Sequence, residues 1–319
     1  MCHQPKYRPL TRQNGRMAAN SAMNATIEDF LQYLRVEKNY SGQTVETYRK
    51  ALSEYEDYVT ATQGTFDPLA PSLDLARGWM VDMGKRRMAA ATVKKNICAL
   101  RSLCKYLRRK GKLTSNPLVL LPTPKVAKSL PTWVREDQMD SLIDDTPFEP
   151  GFIGMRDHLL IDMLYSTGMR RGEAAGLCCK DVDMDNCTIR VVGKGNKERL
   201  IPFGPELADL LRQYMQAKDE TLGRPTERLL TDREGRPITP NTVTALAHKY
   251  LERVPDLSRR GAHVFRHSFA TNMLSEGADL MAVKELLGHA SLDSTEVYTH
   301  ITPQELLQNY RKAHPRGKE

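Results

Sequence analysis

Apolar residues in the first third of the chain fall three and four apart, the spacing of a helix that buries one face. Ile27, Phe30, Leu31 and Leu34 predict a first helix with Thr26 as its cap. Val45, Tyr48, Leu52, Tyr55 and Val59 predict a second, capped by Ser41. GTFDPLAPS reads as a loop before a third helix around Leu75–Met83. Val93, Ile97, Leu100, Leu103 and Leu107 then mark a fourth, with Lys94, Lys95, Arg101, Lys105 and Arg108 on its other faces. Four helices with one shared apolar side predict a small all-α domain.

SNPLVLLPTPKVAKSLPTW follows, and its four prolines predict an extended, semi-rigid connector. The pattern resumes with helices over 135–146 and 154–167, and DNCTIRVVGKGNKERLIPF alternates as two strands around a glycine-containing turn. A helix from about His263 ends at Gly277, and Asp279 caps another that stops at Gly288. TPQE predicts a last helix capped by Thr302, with Tyr310 on its apolar side, lying on its own domain or a neighbour's. The expected organisation is a basic tail (1–23), a helical domain (24–113), a linker (114–134) and a second domain (135–319). The fold class is mainly α with a small β-sheet.

Composition narrows the setting. With 319 residues, 40% hydrophobic and 27% charged, the chain fits a folded protein of two domains, and it has no apolar run of membrane-spanning length. Its six cysteines show no metal-ligand spacing, which favours reduced thiols in a cytoplasmic chain and no metal cofactor. Net charge is +8, but residues 83–135 hold fourteen Lys or Arg and no acid, so the rest of the chain is acidic. A folded basic surface of this kind is a site for a polyanion, most often nucleic acid.

The candidate chemistry lies in the second half. HVFRHSFATNML sets His263 and Arg266 three apart on one helix face. TGMRRGE supplies Arg170 and Arg171, GKGNKER supplies Lys194 and Lys197, and GHASLDSTEVYTH places His289 nine residues before Tyr298. Arginine forks can grip the non-bridging oxygens of a phosphate and hold the charge that grows in its transition state. A tyrosine oxygen can then attack in line, a histidine can manage its proton, and a lysine can protonate the departing alkoxide. No GxxxxGK[ST] phosphate loop is present, which agrees with strand exchange that keeps its bond energy in a phosphotyrosine rather than drawing on ATP.

These motifs, in this order, resemble those of the tyrosine recombinases of the phage integrase family, and most of all its Xer branch. STGMRRGE is similar to the family's first arginine box, VVGKGNKERLIPF to its hairpin lysine patch, HVFRHSFAT to its HxxR box and LLGHASLDSTEVYTH to its histidine–tyrosine box. NYSGQTVETY and TVKKNICALRSL resemble the family's SAM-like core-binding domain. The resemblance implies an active site of Arg170, Lys194, His263, Arg266, His289 and the nucleophile Tyr298. Glu173 would support the arginines, Lys197 is second choice to Lys194, and Arg171 falls to structure or DNA contact. Ser41, Thr44, Lys94, Lys95 and Arg101 are candidate contacts to duplex DNA. The implied enzyme forms a 3′-phosphotyrosyl intermediate, in a homo- or hetero-tetramer whose terminal helix docks on a neighbour. It would work among cytoplasmic, nucleoid-associated DNA, with an accessory translocase or directionality factor possible. Its task would be dimer resolution or integration of a mobile element. The alternatives are a DNA-binding regulator on the same scaffold and a type IB topoisomerase-like enzyme.

Overall fold

In a computed structural model, which describes residues 24–126, 132–193, 197–288 and 303–317, the chain divides into two units, Met1–Lys128 and Ser129–Glu319. The first unit holds α1 (Ala25–Val36), α2 (Gly42–Gln63), α3 (Leu73–Lys85) and α4 (Ala90–Arg109). Asn24, not Thr26, caps α1: its side chain accepts from the Thr26 amide at 2.9 Å, so Thr26 already lies in the first turn. Asparagine is also the stronger cap. Ser41 caps α2 and accepts from the Thr44 amide at 3.3 Å. Trp79 is fully buried against Tyr55, with ring centroids 5.0 Å apart.

The apolar stripe of α4 is buried along its whole length, while Lys94, Lys95, Lys105 and Arg108 are exposed. The proline-rich stretch, expected to be extended, begins as a 3-10 turn at Pro117–Leu120. Leu118 and Leu121 enter the first unit's core, and the Arg101 guanidinium donates to the carbonyls of Leu118, Val119 and Leu121.

The second unit begins with α5 (Glu136–Asp144), α6 (Phe152–Thr167) and α7 (Arg171–Gly176). Helix α6 is covered on nearly every side, and the charges it buries are partnered: Arg156 donates to Asp157 at 2.6 Å, and Ser166 donates to Asp162. Next come β1 (Val182–Asp183), β2 (Thr188–Val192) and β3 (Glu198–Pro202), an antiparallel sheet in that order. In the β2–β3 register Val191 faces Arg199 and Ile189 faces Ile201. No element was expected between Phe203 and His263, yet α8 (Pro205–Leu222) and α9 (Pro240–Leu251) lie there, each opened by a proline at a position that needs no amide donor.

Helices α10 (Ala262–Ser275), α11 (Leu280–Leu287) and α12 (Pro303–Ala313) complete the unit. Asp279 caps α11 through the amides of Met281 and Ala282, as its position predicts; Thr302 lies outside the described residues. The end of α12 packs on its own unit: Tyr310 and Ala313 are buried, and the buried His314 ring stacks on Tyr310 with centroids 4.9 Å apart. Among the described residues no helix is long and apolar enough to cross a membrane. The thiols of Cys98, Cys104, Cys178, Cys179 and Cys187 are free, and Cys2 lies outside the described residues.

Candidate active site

Helix ends build this site. Helices α6 and α11 both stop at a glycine in the left-handed region, Gly168 at φ +59° and Gly288 at φ +62°. A side chain fits poorly there on two counts, since a Cβ on Gly168 would also come within 2.6 Å of the Phe269 ring. The last carbonyls of a helix lack intrahelical donors and carry the negative end of its dipole. Arginines meet them here. Leu286, Leu287 and Gly288, three consecutive carbonyls, accept from Arg199 Nε (2.7 Å), Arg266 Nη2 (2.6 Å) and Arg170 Nη2 (3.0 Å). Arg266 Nη1 also donates to the Gly168 carbonyl at 2.7 Å, so its fork ties the end of α6 to the end of α11.

Glu173 joins two of these arginines. It sits in the first turn of α7, where a carboxylate suits the exposed amides, and its Oε2 accepts from the Arg170 amide at 2.7 Å. Oε1 accepts from Arg170 Nη1 at 2.8 Å and from Arg199 Nη1 at 3.0 Å, while Arg199 Nη2 reaches Oε2 at 2.8 Å. Burial works against ionisation of Glu173, but the hydrogen bonds from Arg199 and Arg170 outweigh it and hold the carboxyl below its usual range.

Positive charge remains in excess. Three guanidiniums meet here with one carboxylate, which bonds only Arg170 and Arg199, a local balance of about +2 at neutral pH. Burial, and then repulsion from Arg170, pushes Arg266 down to about 10, so it stays protonated at neutral pH yet would gain from an anion. His263, one turn before Arg266, titrates below the ordinary histidine range because it is desolvated and faces His267, Arg266, Arg171 and Arg170. Its ring lines a groove with Arg171, His248, Arg259, Arg260 and His267. Such a site suits a polyanion. Among the described residues no cluster of His, Cys, Asp and Glu is placed to hold a metal ion.

Of the expected site residues, Arg170, Glu173, Arg266 and His263 come together in the second unit. Lys194, His289 and Tyr298 lie outside the described residues. Lys197 is exposed, and its carbonyl closes the hairpin by accepting from the Gly193 amide at 2.8 Å. Arg171 donates to Thr244 Oγ1 at 2.9 Å. In the first unit Lys94 and Lys95 point to solvent, the Ser41 and Thr44 hydroxyls bond each other at 2.9 Å, and Arg101 is engaged with the 3-10 turn. Sequence reading passed over Arg199, Arg259 and Arg260. The signal for Arg199 was the strand alternation: it shares a face with the fully buried Ile201, and a charge facing inward needs a counter-charge.

Comparison with known proteins follows the two units. Residues 132–305 match the phage integrase family, and residues 27–111 match the phage integrase N-terminal SAM-like domain. Tyrosine recombinase XerC of Pelotomaculum thermopropionicum is 37% identical over 93% of this chain and 100% of its own length. The tyrosine recombinase XerC of Bacillus subtilis is 34% identical over 90% of this chain and 95% of its own. Among solved structures, the XerH site-specific recombinase bound to its difH substrate aligns with a TM-score of 0.63 at 25% identity, covering 88% of this chain and 83% of that one. The Tn1549 transposon integrase, 17% identical, shares the fold with a TM-score of 0.66 over 92% of this chain and 97% of its own.

Proposed function

This chain belongs to the phage integrase family, and on that premise we propose that Arg170 and Arg266 hold the backbone phosphate that Tyr298 attacks in duplex DNA. The protein is a tyrosine-type site-specific recombinase of the Xer kind. The observation that carries the assignment is the convergence of three guanidiniums on the end of α11, ten residues before Tyr298. Their surplus charge stabilises the oxygens of the pentacoordinate phosphorus. Anchoring to helix carbonyls fixes the forks in advance, so little reorganisation accompanies reaction.

The Tyr298 oxygen bonds to phosphorus as the strand's 5′ oxygen leaves. His263 and His289 manage the phenolic proton, and Lys194 supplies one to the leaving oxygen. Attack by a 5′ hydroxyl of a partner strand reverses the step and reseals the DNA. The exposed lysines of α4 neutralise phosphates along the duplex and set register without reading sequence. Protomers act as a tetramer on two DNA sites, resolving chromosome or plasmid dimers, in the cytoplasm with the nucleoid.

Duplexes selected from a random pool by the protein supply the site; a nicked version, whose cut releases a short fragment, then traps the adduct. We expect a protein–DNA covalent species from the wild type and none from Tyr298→Phe, with equal binding by both. Arg266→Ala is expected to bind while cleaving ~10²–10³-fold more slowly, the scale of a lost oxyanion donor. An adduct formed by Tyr298→Phe would remove the nucleophile assignment.

A further inference from the structure

We infer that Arg199 is a positioning residue for strand cleavage, holding the phosphate-binding arginine Arg170 and the end of α11 in register with the β2–β3 hairpin. The inference rests on the phosphate-holding role proposed for Arg170 and Arg266. Arg199 is carried by β3, opposite Val191 of β2, and its side chain is 10% exposed. Its fork lies on both oxygens of Glu173, and its Nε donates to the Leu286 carbonyl. One side chain therefore ties three elements together: the hairpin, the first turn of α7 and the last turn of α11.

Two consequences follow for Arg170. Glu173 Oε1 accepts from both guanidiniums, at 2.8 Å from Arg170 and 3.0 Å from Arg199. Sharing this oxygen keeps the carboxylate from neutralising Arg170 alone and leaves that cation charge for an anion. With Arg199 gone, the local balance falls by one unit, and Glu173 is free to draw Arg170 away from the Gly288 carbonyl. The second consequence is geometric. Arg266 and Arg170 take the carbonyls of Leu287 and Gly288, and without Arg199 the Leu286 carbonyl before them loses its side-chain donor. That helix end leads directly into His289.

Space has been made for this side chain. A Cβ on Gly288 would stand 3.2 Å from Arg199 Cδ and Nη1, and a Cβ on Gly193 would stand 3.5 Å from Nη1. Both neighbouring backbones thus run close to the guanidinium. Arg199 acts through Glu173 and α11, not on the reacting atoms.

The test uses the full-length protein and the nicked duplex, reading single-turnover cleavage at saturating DNA separately from the dissociation constant. Arg199→Met is expected to slow cleavage ~10–100-fold, a displacement effect smaller than loss of a direct phosphate contact, with affinity within about threefold. Arg199→Lys keeps the charge but not the fork, and is expected to recover only part of the rate. Glu173→Gln supplies the coupling: Arg199→Met should cost several-fold less in its background than in the wild type, because both changes weaken the Arg199–Glu173 linkage and only the Leu286 contact remains to be lost. Cleavage by Arg199→Met at the wild-type rate, or the same full penalty in the Glu173→Gln background, would overturn the inference. Should Arg199→Met not fold, judged by its melting transition, Arg199→Lys decides alone, and a wild-type rate from it overturns the fork's role. Absence of any adduct from the wild type would instead sink the recombinase chemistry, a failure readily told apart.

Discussion

The two units handle charge in opposite ways. On α4 the first unit leaves Lys94, Lys95, Lys105 and Arg108 in water, and its bridge from Arg49 to Glu28 has side chains 33% and 45% exposed. In the second unit the bridge from Arg199 to Glu173 has side chains 10% and 6% exposed, and Arg266 is 7% exposed with its fork on two helix carbonyls. Exposed cations keep their hydration and contribute through long-range attraction that salt screens. Buried cations have lost hydration, so their positions must be fixed by carbonyls and a carboxylate. The first arrangement suits binding along a polyanion whose sequence it does not read, and the second suits holding one phosphate in one geometry.

Removing the acid from each bridge exposes that difference most strongly. Glu173→Ala leaves Arg199 buried without its carboxylate and is expected to destabilise the second unit by about 3–5 kcal/mol. Glu28→Ala in the first unit is expected to cost about 1 kcal/mol or less. Calorimetric melting of both variants checks the pair, and equal losses would erase the distinction.

Acid should also find the second unit first. His314 is fully buried, its Nδ1 accepts from the Arg316 amide at 3.1 Å, and Tyr165, Phe269 and Tyr310 surround its ring. Burial, with repulsion from Arg316, pushes it down to about 3, below its value in the unfolded chain. The unfolded state therefore takes up a proton that the native state refuses, and stability falls as pH drops from about 6.5 towards 3. At pH 5 the loss is about 2 kcal/mol. No histidine lies among the first unit's described residues. Denaturant melts from pH 7 to 5 should show the second unit weakening, with a flatter slope in His314→Phe.

The smallest effect belongs to the exposed cations. Lys94→Ala and Lys95→Ala are each expected to weaken DNA affinity evenly across sequences and to lower the salt slope by about one where a phosphate contact is lost. Melting temperature and saturated cleavage rate should stay unchanged. Titrations at several salt concentrations measure it, and a sequence-dependent loss would mean that α4 reads bases.

Much of this arrangement is written locally. The apolar spacing of α4, the caps at Ser41 and Asp279, the stops at Gly168 and Gly288 and the order of the arginine, hairpin and HxxR motifs depend on neighbours within a few residues, and these are legible in the chain itself. Thr26 misled because two cap-forming residues stand two positions apart and the backbone chooses Asn24. The 3-10 turn at Pro117 has a local signal in Asn116, which caps it by accepting from the Leu118 amide at 3.0 Å, and Arg101, far back in the chain, then takes up its carbonyls. Helices α8 and α9 likewise carry a local signal, Pro205 and Pro240 at their first positions.

What tertiary structure alone decided is which cations lose their water. Arg170, Arg199 and Arg266 are separated by 29 and 67 residues, yet they meet at three successive carbonyls of one helix end. Sequence determines that each residue carries a fork and where each helix stops. Only packing brings α6, α7, β3, α10 and α11 close enough to fix those forks and to desolvate Arg199 and Arg266, while Arg170 stays 33% exposed, open to an anion.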